Sequence, residues 1–245
     1  MAGGGLYYRT NKRNPTALGS SILTNSKSET IAVLISGGLD SSILVGDLLR
    51  QGRGVQPIYV RTGVVWQSAE LLGLERFLAA IATSQLAKLL TLELPITDLY
   101  GHHWSLSGQN TPASDSPDEA VYLPGRNALL LVKPVIWCQM HGIPELALAP
   151  LGTSPFDDAS AAFLRDYESA LNRGSPSPVR LLRPFGEMNK RQVMALGDEL
   201  PLELTFSCIS PINHHHCGRC NKCAERQAAF RDAAITDKTP YSTDN

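Results

Sequence analysis

The sequence predicts an α/β fold with a mainly parallel sheet, and three observations carry that reading. Short β-branched apolar runs alternate with stretches of helical periodicity, the pattern of βαβ units. A glycine pair lies between the first such run and the first helical stretch. The 245 residues suffice for one large domain, or for a domain with a small appendage, at about 100–200 residues per domain.

Taken in order, residues 31–35 (Ile-Ala-Val-Leu-Ile) are apolar throughout, as a strand buried on both faces requires. From Ser41, residues Ile43, Leu44, Leu48 and Leu49 fall on one helix face, and Gly52 is placed to stop it. A second strand is expected at 55–60, a helix over 66–90 and a third strand at 92–96. Residues 97–121 carry His102, His103, Gly108, Asn110, Pro112 and Pro117 with little periodicity and read as a long loop. A helix is expected from Pro124, bent near Pro134, then a fourth strand at 145–151. Asp157 is the expected cap of a helix ending by Gly174. A weaker strand at 179–182, a short helix capped by Asn189 and a last helix over 224–234 complete the pattern. The expected organisation is a polar extension at 1–29, a nucleotide-binding domain at 30–200, a metal-binding lobe at 201–235 and a polar tail at 236–245.

Composition excludes several classes. Twenty-two Lys and Arg against 23 Asp and Glu give a net charge of −1, so there is no strong nucleic-acid signal. No apolar run approaches the roughly 20 residues of a membrane span, and residues 1–29 contain no signal-peptide-like stretch. Four of the five cysteines cluster within sixteen residues, which suggests metal ligation in a reducing compartment rather than a disulfide framework. A cytoplasmic protein is expected.

Two motifs carry chemistry. Ser36-Gly37-Gly38-Leu39-Asp40-Ser41-Ser42 joins the first strand to the first helix. There, glycines let main chain approach a ligand while free N–H groups and the helix N-terminus favour phosphate oxygens. No Lys-Ser or Lys-Thr follows the glycines, and the G-x-G-x-x-G spacing is absent, so this is neither a Walker loop nor a dinucleotide fingerprint. The second motif is Cys208-x8-Cys217-x2-Cys220-x2-Cys223. Four thiolates at these spacings fit one structural Zn2+, with an iron-sulfur cluster as the competing occupant. His214, His215 and His216 read as a polar loop that can also offer ligands. Cys138, between Trp137 and Gln139 on an apolar helix, reads as an inert core thiol.

The first motif resembles the PP-loop of the N-type ATP pyrophosphatases, which have a Rossmann-like (adenine nucleotide alpha hydrolase-like) fold. The resemblance implies that Ser36, Gly37, Gly38, Leu39, Asp40, Ser41 and Ser42 bind ATP, with Asp40 helping to position Mg2+. Three further segments narrow it: Tyr122-Leu123-Pro124-Gly125-Arg126-Asn127, Asn189-Lys190-Arg191-Gln192-Val193 and Thr205-Phe206-Ser207-Cys208. With the cysteine spacing, they make residues 30–232 resemble the 7-cyano-7-deazaguanine synthases. That family uses ATP and ammonia to convert 7-carboxy-7-deazaguanine to the nitrile through an amide, for queuosine. What the resemblance implies is a C–N-bond-forming ligase whose partners are ATP, ammonia and a deazapurine carboxylate, with Zn2+ in the C-terminal lobe and a homodimer as the assembly. Lys190 and Arg126 are the cations expected beside the phosphates or the activated carboxylate, unless they are solvated surface charges. Asn127 either bonds the nucleotide or closes a turn. The chain has no room for a glutaminase domain, so free ammonia is the expected nitrogen source.

Two segments depart from the family. Residues 60–66 (Val-Arg-Thr-Gly-Val-Val-Trp) replace a Tyr-Gly-Gln-like stretch, and 152–159 (Gly-Thr-Ser-Pro-Phe-Asp-Asp-Ala) lack the family's aromatic and Arg residues. Phe156 and Asp158 are the replacement candidates, by stacking and by hydrogen bonding to a guanine-like edge, or else a packing residue and a helix-start charge. Two alternatives therefore stand beside the synthase. One is a paralogue that passes an adenylated carboxylate to another amine or stops at the amide. The other is a non-catalytic nucleotide-binding or RNA-associated module.

Overall fold

The computed structural model describes residues 30–242; the expected polar extension at 1–29 and the last three residues of the tail lie outside the described residues. In chain order the elements are β1 (Thr30–Leu34), α1 (Leu39–Arg50), β2 (Gly54–Arg61), α2 (Gln67–Ala80) and β3 (Leu90–Glu93). Two one-turn helices follow, α3 (Thr97–Tyr100) and α4 (Trp104–Ser107), then α5 (Arg126–His141), β4 (Glu145–Ala147) and α6 (Ala161–Asn172). The chain continues through β5 (Arg180–Leu182), α7 (Lys190–Leu196) and α8 (Asn221–Asp232).

The five strands form one sheet in the order β3-β2-β1-β4-β5, with every pairing parallel. Alternation along β1 explains why its run is wholly apolar. Ile31 and Val33 pack with α1 and α7 on one face, whereas Ala32 meets Leu131 and Val135 of α5 on the other. The chain leaves β1 toward β2 and β3, then returns to place β4 on the opposite side of β1. That reversal opens a crevice beyond the carboxyl ends of β1 and β4, the usual ligand position in open parallel sheets.

Several expected boundaries shift. The helix over 66–90 ends at Ala80. Thr83 Oγ1 accepts from the Gln85 N–H at 3.3 Å, a local bond that competes with helix, and Leu86 instead bridges to Val55. The apolar residues Leu86 and Leu89 still pack on the core, so the helical periodicity there was coincidental. The helix expected from Asp157 begins at Ala161, because Ser160 supplies the cap by accepting from Phe163 N–H at 3.1 Å; Asp157 opens a 3-10 turn instead. The helix placed at Pro124 starts at Arg126, after Gly125 in the left-handed region. Asn189 caps α7 as expected, and Gln192 returns a bond to complete a capping box.

The 97–121 segment is not bare loop. It contains α3, α4 and a 3-10 turn over Asp118–Val121. Trp104 stacks on Trp66 at 5.7 Å. Asn221 ties the segment to the cysteine loop, with its N–H donating to Pro112 O at 3.0 Å and its side chain to Ser116 O at 2.8 Å. Ala229 and Phe230 of α8 join the main core, whereas the four cysteines pack with Val64, Trp66 and Leu123. The C-terminal helix therefore belongs to both.

Candidate active site and metal centre

A cleft of about 370 Å³ opens at the topological reversal. One end is the turn after β1. Gly37 adopts φ +81°, and a Cβ there would meet Leu74 Cβ at 3.2 Å and the Glu70 carbonyl at 3.3 Å, so the turn requires glycine. The Gly37 carbonyl accepts from Phe206 N–H at 2.8 Å, which pins the turn to the 205–209 segment. Gly38 precedes α1 without any side-chain cap. The first-turn N–H groups thus lack an intrahelical partner, as an anion site at a helix N-terminus needs. Ser36 and Ser41 face each other, with their hydroxyls 3.2 Å apart. Of the seven sequence-predicted positions, Ser36, Gly38, Leu39, Asp40 and Ser41 line the cleft. Gly37 packs behind it against α2, and Ser42 is fully buried with an unpartnered Oγ.

Lys190 reaches the same end from the start of α7. Its Nζ donates to both Asp40 oxygens, at 2.7 and 2.9 Å, and lies 3.3 Å from Glu225 Oε1 on α8. Burial disfavours charge on Lys190, but the two carboxylates outweigh it and keep the ammonium protonated. Burial raises Asp40, partly offset by Lys190. For Glu225 burial is also upward, and Lys222 and Lys190 overcome it and hold the carboxyl below its usual range.

The other end is built from β2, α2 and the first turn of α5. Tyr59 hydroxyl donates to Glu70 Oε2 at 2.5 Å. Arg126 enters the cleft beside them, and its Nε is buried without a partner. Burial pushes Glu70 up to about 7, against the opposing influence of Tyr59, Arg126 and Trp66. Tyr59 is raised well beyond the phenol range by burial and by Glu70.

The 152–159 loop closes this side. Phe156 lines the cleft and stacks on Tyr122, with centroids 5.6 Å apart and planes 24° apart. Asp158 accepts from Asn127, at 2.9 Å from Nδ2 and 3.3 Å from the backbone N–H. These bonds tie the loop to the start of α5, and they engage both Asp158 oxygens with protein donors.

Sequence reasoning missed Tyr59, Glu70, Lys222 and Glu225, all of which line the cleft. For Glu70 a signal existed: it stands four residues before Leu74 and seven before Phe77, on the face that α2 buries. A carboxylate in an apolar stripe is costly unless it is partnered. No comparable pattern marks Lys222 or Glu225, since a solvated helix has the same spacing.

Cys208, Cys217, Cys220 and Cys223 converge from the 205–209 segment, the loop over 210–220 and the first turn of α8. All four are buried, and their sulfurs lie within 4.8 Å of one another. Two separations, Cys208 to Cys220 at 3.8 Å and Cys217 to Cys223 at 3.9 Å, match the edge of a tetrahedron with metal–sulfur bonds of about 2.3 Å. Cys208 Sγ also accepts from the N–H groups of Ser210 and Cys217, both at 3.3 Å, as a thiolate ligand would. The cluster is consistent with a structural zinc site. Of the three histidines, His214 and His215 are exposed on a tight turn, while buried His216 accepts from Ser207 N–H at 3.1 Å. Ser207 lines the cleft, so the cysteine loop supports one wall of it. Arg226 reinforces that wall, donating to Thr205, Thr239 and the Leu202 carbonyl. Cys138 is fully buried away from the cleft, and burial raises its thiol to about 12.

Among the described residues no helix is long and apolar enough to cross a membrane. Residues 30–234 match the family described as Queuosine biosynthesis protein QueC. The chain is 26% identical over 228 residues to a 7-cyano-7-deazaguanine synthase of Leptospira interrogans, covering 88% of this chain and 92% of that one. It is 29% identical over 206 residues to 7-cyano-7-deazaguanine synthase 1 of Desulfitobacterium hafniense, covering 82% and 91%. A 7-cyano-7-deazaguanine synthase of Nitratiruptor is 27% identical over 220 residues, covering 86% and 98%.

Proposed function

Because this chain belongs to the QueC family, we propose that it is an ATP-dependent ligase converting 7-carboxy-7-deazaguanine and ammonia to 7-cyano-7-deazaguanine. The observation that carries this reading is one cleft joining an uncapped helix N-terminus and a fixed Lys190–Asp40 pair to an aromatic and cationic far end. A carboxylate is a poor electrophile, so its oxygen first attacks the α-phosphorus of ATP and releases pyrophosphate. In our reading the phosphate loop and Lys190 bind the departing charge, and preorganised donors of this kind act chiefly on the transition state. Arg126, with its free Nε, faces the carboxylate. Ammonia then displaces AMP to give the amide, and a second adenylation, on the amide oxygen, yields the nitrile.

Magnesium enters with ATP in this proposal. Asp40 and Glu225 offer the hard oxygen donors that this ion takes beside nucleotide phosphates, and Lys190 lies between them. Zinc has no chemical step, since four thiolates leave no open position. Phe156 is assigned to stacking on the deazapurine, whereas Asn127 and Asp158 shape the loop that carries it. The domain limits at 30–200 and 201–235, a homodimer and a cytoplasmic location belong to the same proposal.

A second reading is favoured by the departures at 60–66 and 152–159: a different acceptor amine, or release at the amide. Incubating the protein with ATP, magnesium, ammonium and 7-carboxy-7-deazaguanine, followed by mass spectrometry, tests both. AMP with nitrile is expected. AMP with amide alone supports the second reading, and intact ATP with unchanged carboxylate excludes both and leaves a non-catalytic nucleotide-binding module.

A further inference from the structure

We propose that Glu70 accepts the proton that the attacking amine sheds, with Tyr59 positioning its carboxylate. The proposal rests on the ligase reading above and adds a group to which that reading gives no task. Ammonia attacks the acyl adenylate through its lone pair. The C–N bond forms, the C–O bond to AMP breaks, and AMP leaves with the electron pair. The nitrogen is then left with one proton too many. That proton needs an acceptor inside the cleft, because neither the phosphate-loop N–H groups nor protonated Lys190 can take one.

Glu70 meets the requirements by position. It lines the cleft together with Tyr59 and Arg126, and is only 8% exposed. Its Cγ and backbone carbonyl pack beside Gly37, while its carboxylate is held by Tyr59 in the cleft. Its partners are also informative. A buried structural carboxylate is ordinarily paired with a cation, yet among the described residues no Lys, Arg or His forms an ion pair with Glu70. Its hydrogen-bond partners are neutral donors, the Tyr59 hydroxyl at 2.5 Å on Oε2 and the Trp66 side chain. A tyrosine proton fixes the carboxyl rotamer without neutralising its charge.

The titratable and charged groups facing Glu70 are Tyr59 from β2 and Arg126 from α5; Arg61, at the end of β2, acts on Tyr59. Burial is the largest influence on Glu70 and raises it to about 7, while Tyr59, Arg126 and Trp66 pull the other way. A base poised near the working pH is the arrangement general catalysis favours. Below that pH Glu70 is protonated and unable to accept, so turnover should rise with pH through about 7.

The test compares the full-length zinc-loaded protein with its Glu70→Gln and Tyr59→Phe variants. Adenylation is read as carboxylate-driven exchange of pyrophosphate into ATP without ammonium. Amine transfer is read as amide plus nitrile formed, plotted against free ammonia rather than total ammonium. In Glu70→Gln, amine transfer should fall at least about 100-fold more than exchange, the scale of a lost general base, and the rise in kcat near pH 7 should vanish. Equal losses in both readouts, or an unchanged pH profile, would overturn the proposal and leave the ligase reading standing. Wild-type protein with no exchange would instead sink the ligase reading, and this assignment with it. Should Glu70→Gln fail to fold, as judged by zinc content and melting, Tyr59→Phe decides. Losing the hydroxyl removes a bond that favours the charged carboxylate, so the rising limb should move to higher pH, and an unmoved limb rejects the role.

Discussion

At the phosphate-loop end, the cleft is built from main chain and from Lys190 fixed between Asp40 and Glu225; at the other end it is built from side chains carried partly on loops. Gly37, Gly38 and the first turn of α1 present backbone N–H groups placed by the strand-turn-helix geometry, with the turn pinned by the Phe206 N–H on the Gly37 carbonyl. Tyr59, Arg126 and Phe156 reach the far end from three separate segments, one of them held by the Asn127–Asp158 bonds. In the function proposed above, the contrast separates chemistry from selectivity. A phosphate site made of backbone survives wide changes in sequence, whereas a site made of side chains can be rebuilt for another ligand by altering two loops.

The largest effect is expected from metal removal, which should break both ends together. Structural zinc contributes on the order of 10 kcal/mol to the folding of small zinc modules, and here α8 supplies Lys222, Glu225 and Arg226 to the cleft wall. Chelation or Cys220→Ser should eliminate bound zinc, counted by atomic absorption, and lower the melting temperature and ATP turnover in parallel. Iron and acid-labile sulfide in the native protein would reassign the cluster.

Lys190→Ala should affect the phosphate end alone, reducing pyrophosphate exchange about 100- to 1,000-fold, as losing one preorganised donor does. The KM for the carboxylate should stay within about twofold. A rise in that KM with unchanged exchange would move Lys190 to the wrong end.

Gly37→Ala tests whether the turn itself is under conformational constraint. At φ +81° an L-residue is strained by about 1–2 kcal/mol, and two contacts must also give. Urea unfolding should show a loss of at least that size.

Phe156→Ala should act on the far end only. Losing a stacking partner worth about 0.5–1.5 kcal/mol corresponds to a roughly 2- to 13-fold higher KM for the deazapurine, with the KM for ATP unchanged. Equal changes in both would make Phe156 a packing residue.

The smallest effect is expected at Cys138, whose thiol is buried and raised to about 12. Iodoacetamide at neutral pH should leave it unmodified in the native protein, with activity intact.

The same contrast explains what the sequence disclosed. The strand-turn-helix geometry at residues 36–42 and the convergence of the four cysteines were readable because local spacing alone builds them: a turn between strand and helix, and thiols within sixteen residues. The parallel sheet was readable from apolar runs alternating with helical periods, although Leu86 and Leu89 mimicked a helix that Thr83 ends. The far end was not readable in the same way. Tyr59 and Glu70 are eleven residues apart and meet only because α2 folds back beside β2. Glu225 and Asp40 share Lys190 only through the docking of α8 against α7, a tertiary fact with no local mark. Asp158, expected to hydrogen-bond a guanine-like edge or to serve as a helix-start charge, is bonded to Asn127, and that partnership required knowing where α5 begins.

The measurement that tests the account most directly follows oxygen. The protein would be supplied with ATP, magnesium, ammonium and 7-carboxy-7-deazaguanine labelled with 18O in both carboxylate positions, and AMP and the deazapurine weighed by mass spectrometry. Adenylation followed by displacement predicts one 18O in each AMP formed, two AMP per nitrile, and no label left in the nitrile. Unlabelled AMP, ADP in its place, or no ATP consumption would contradict the account.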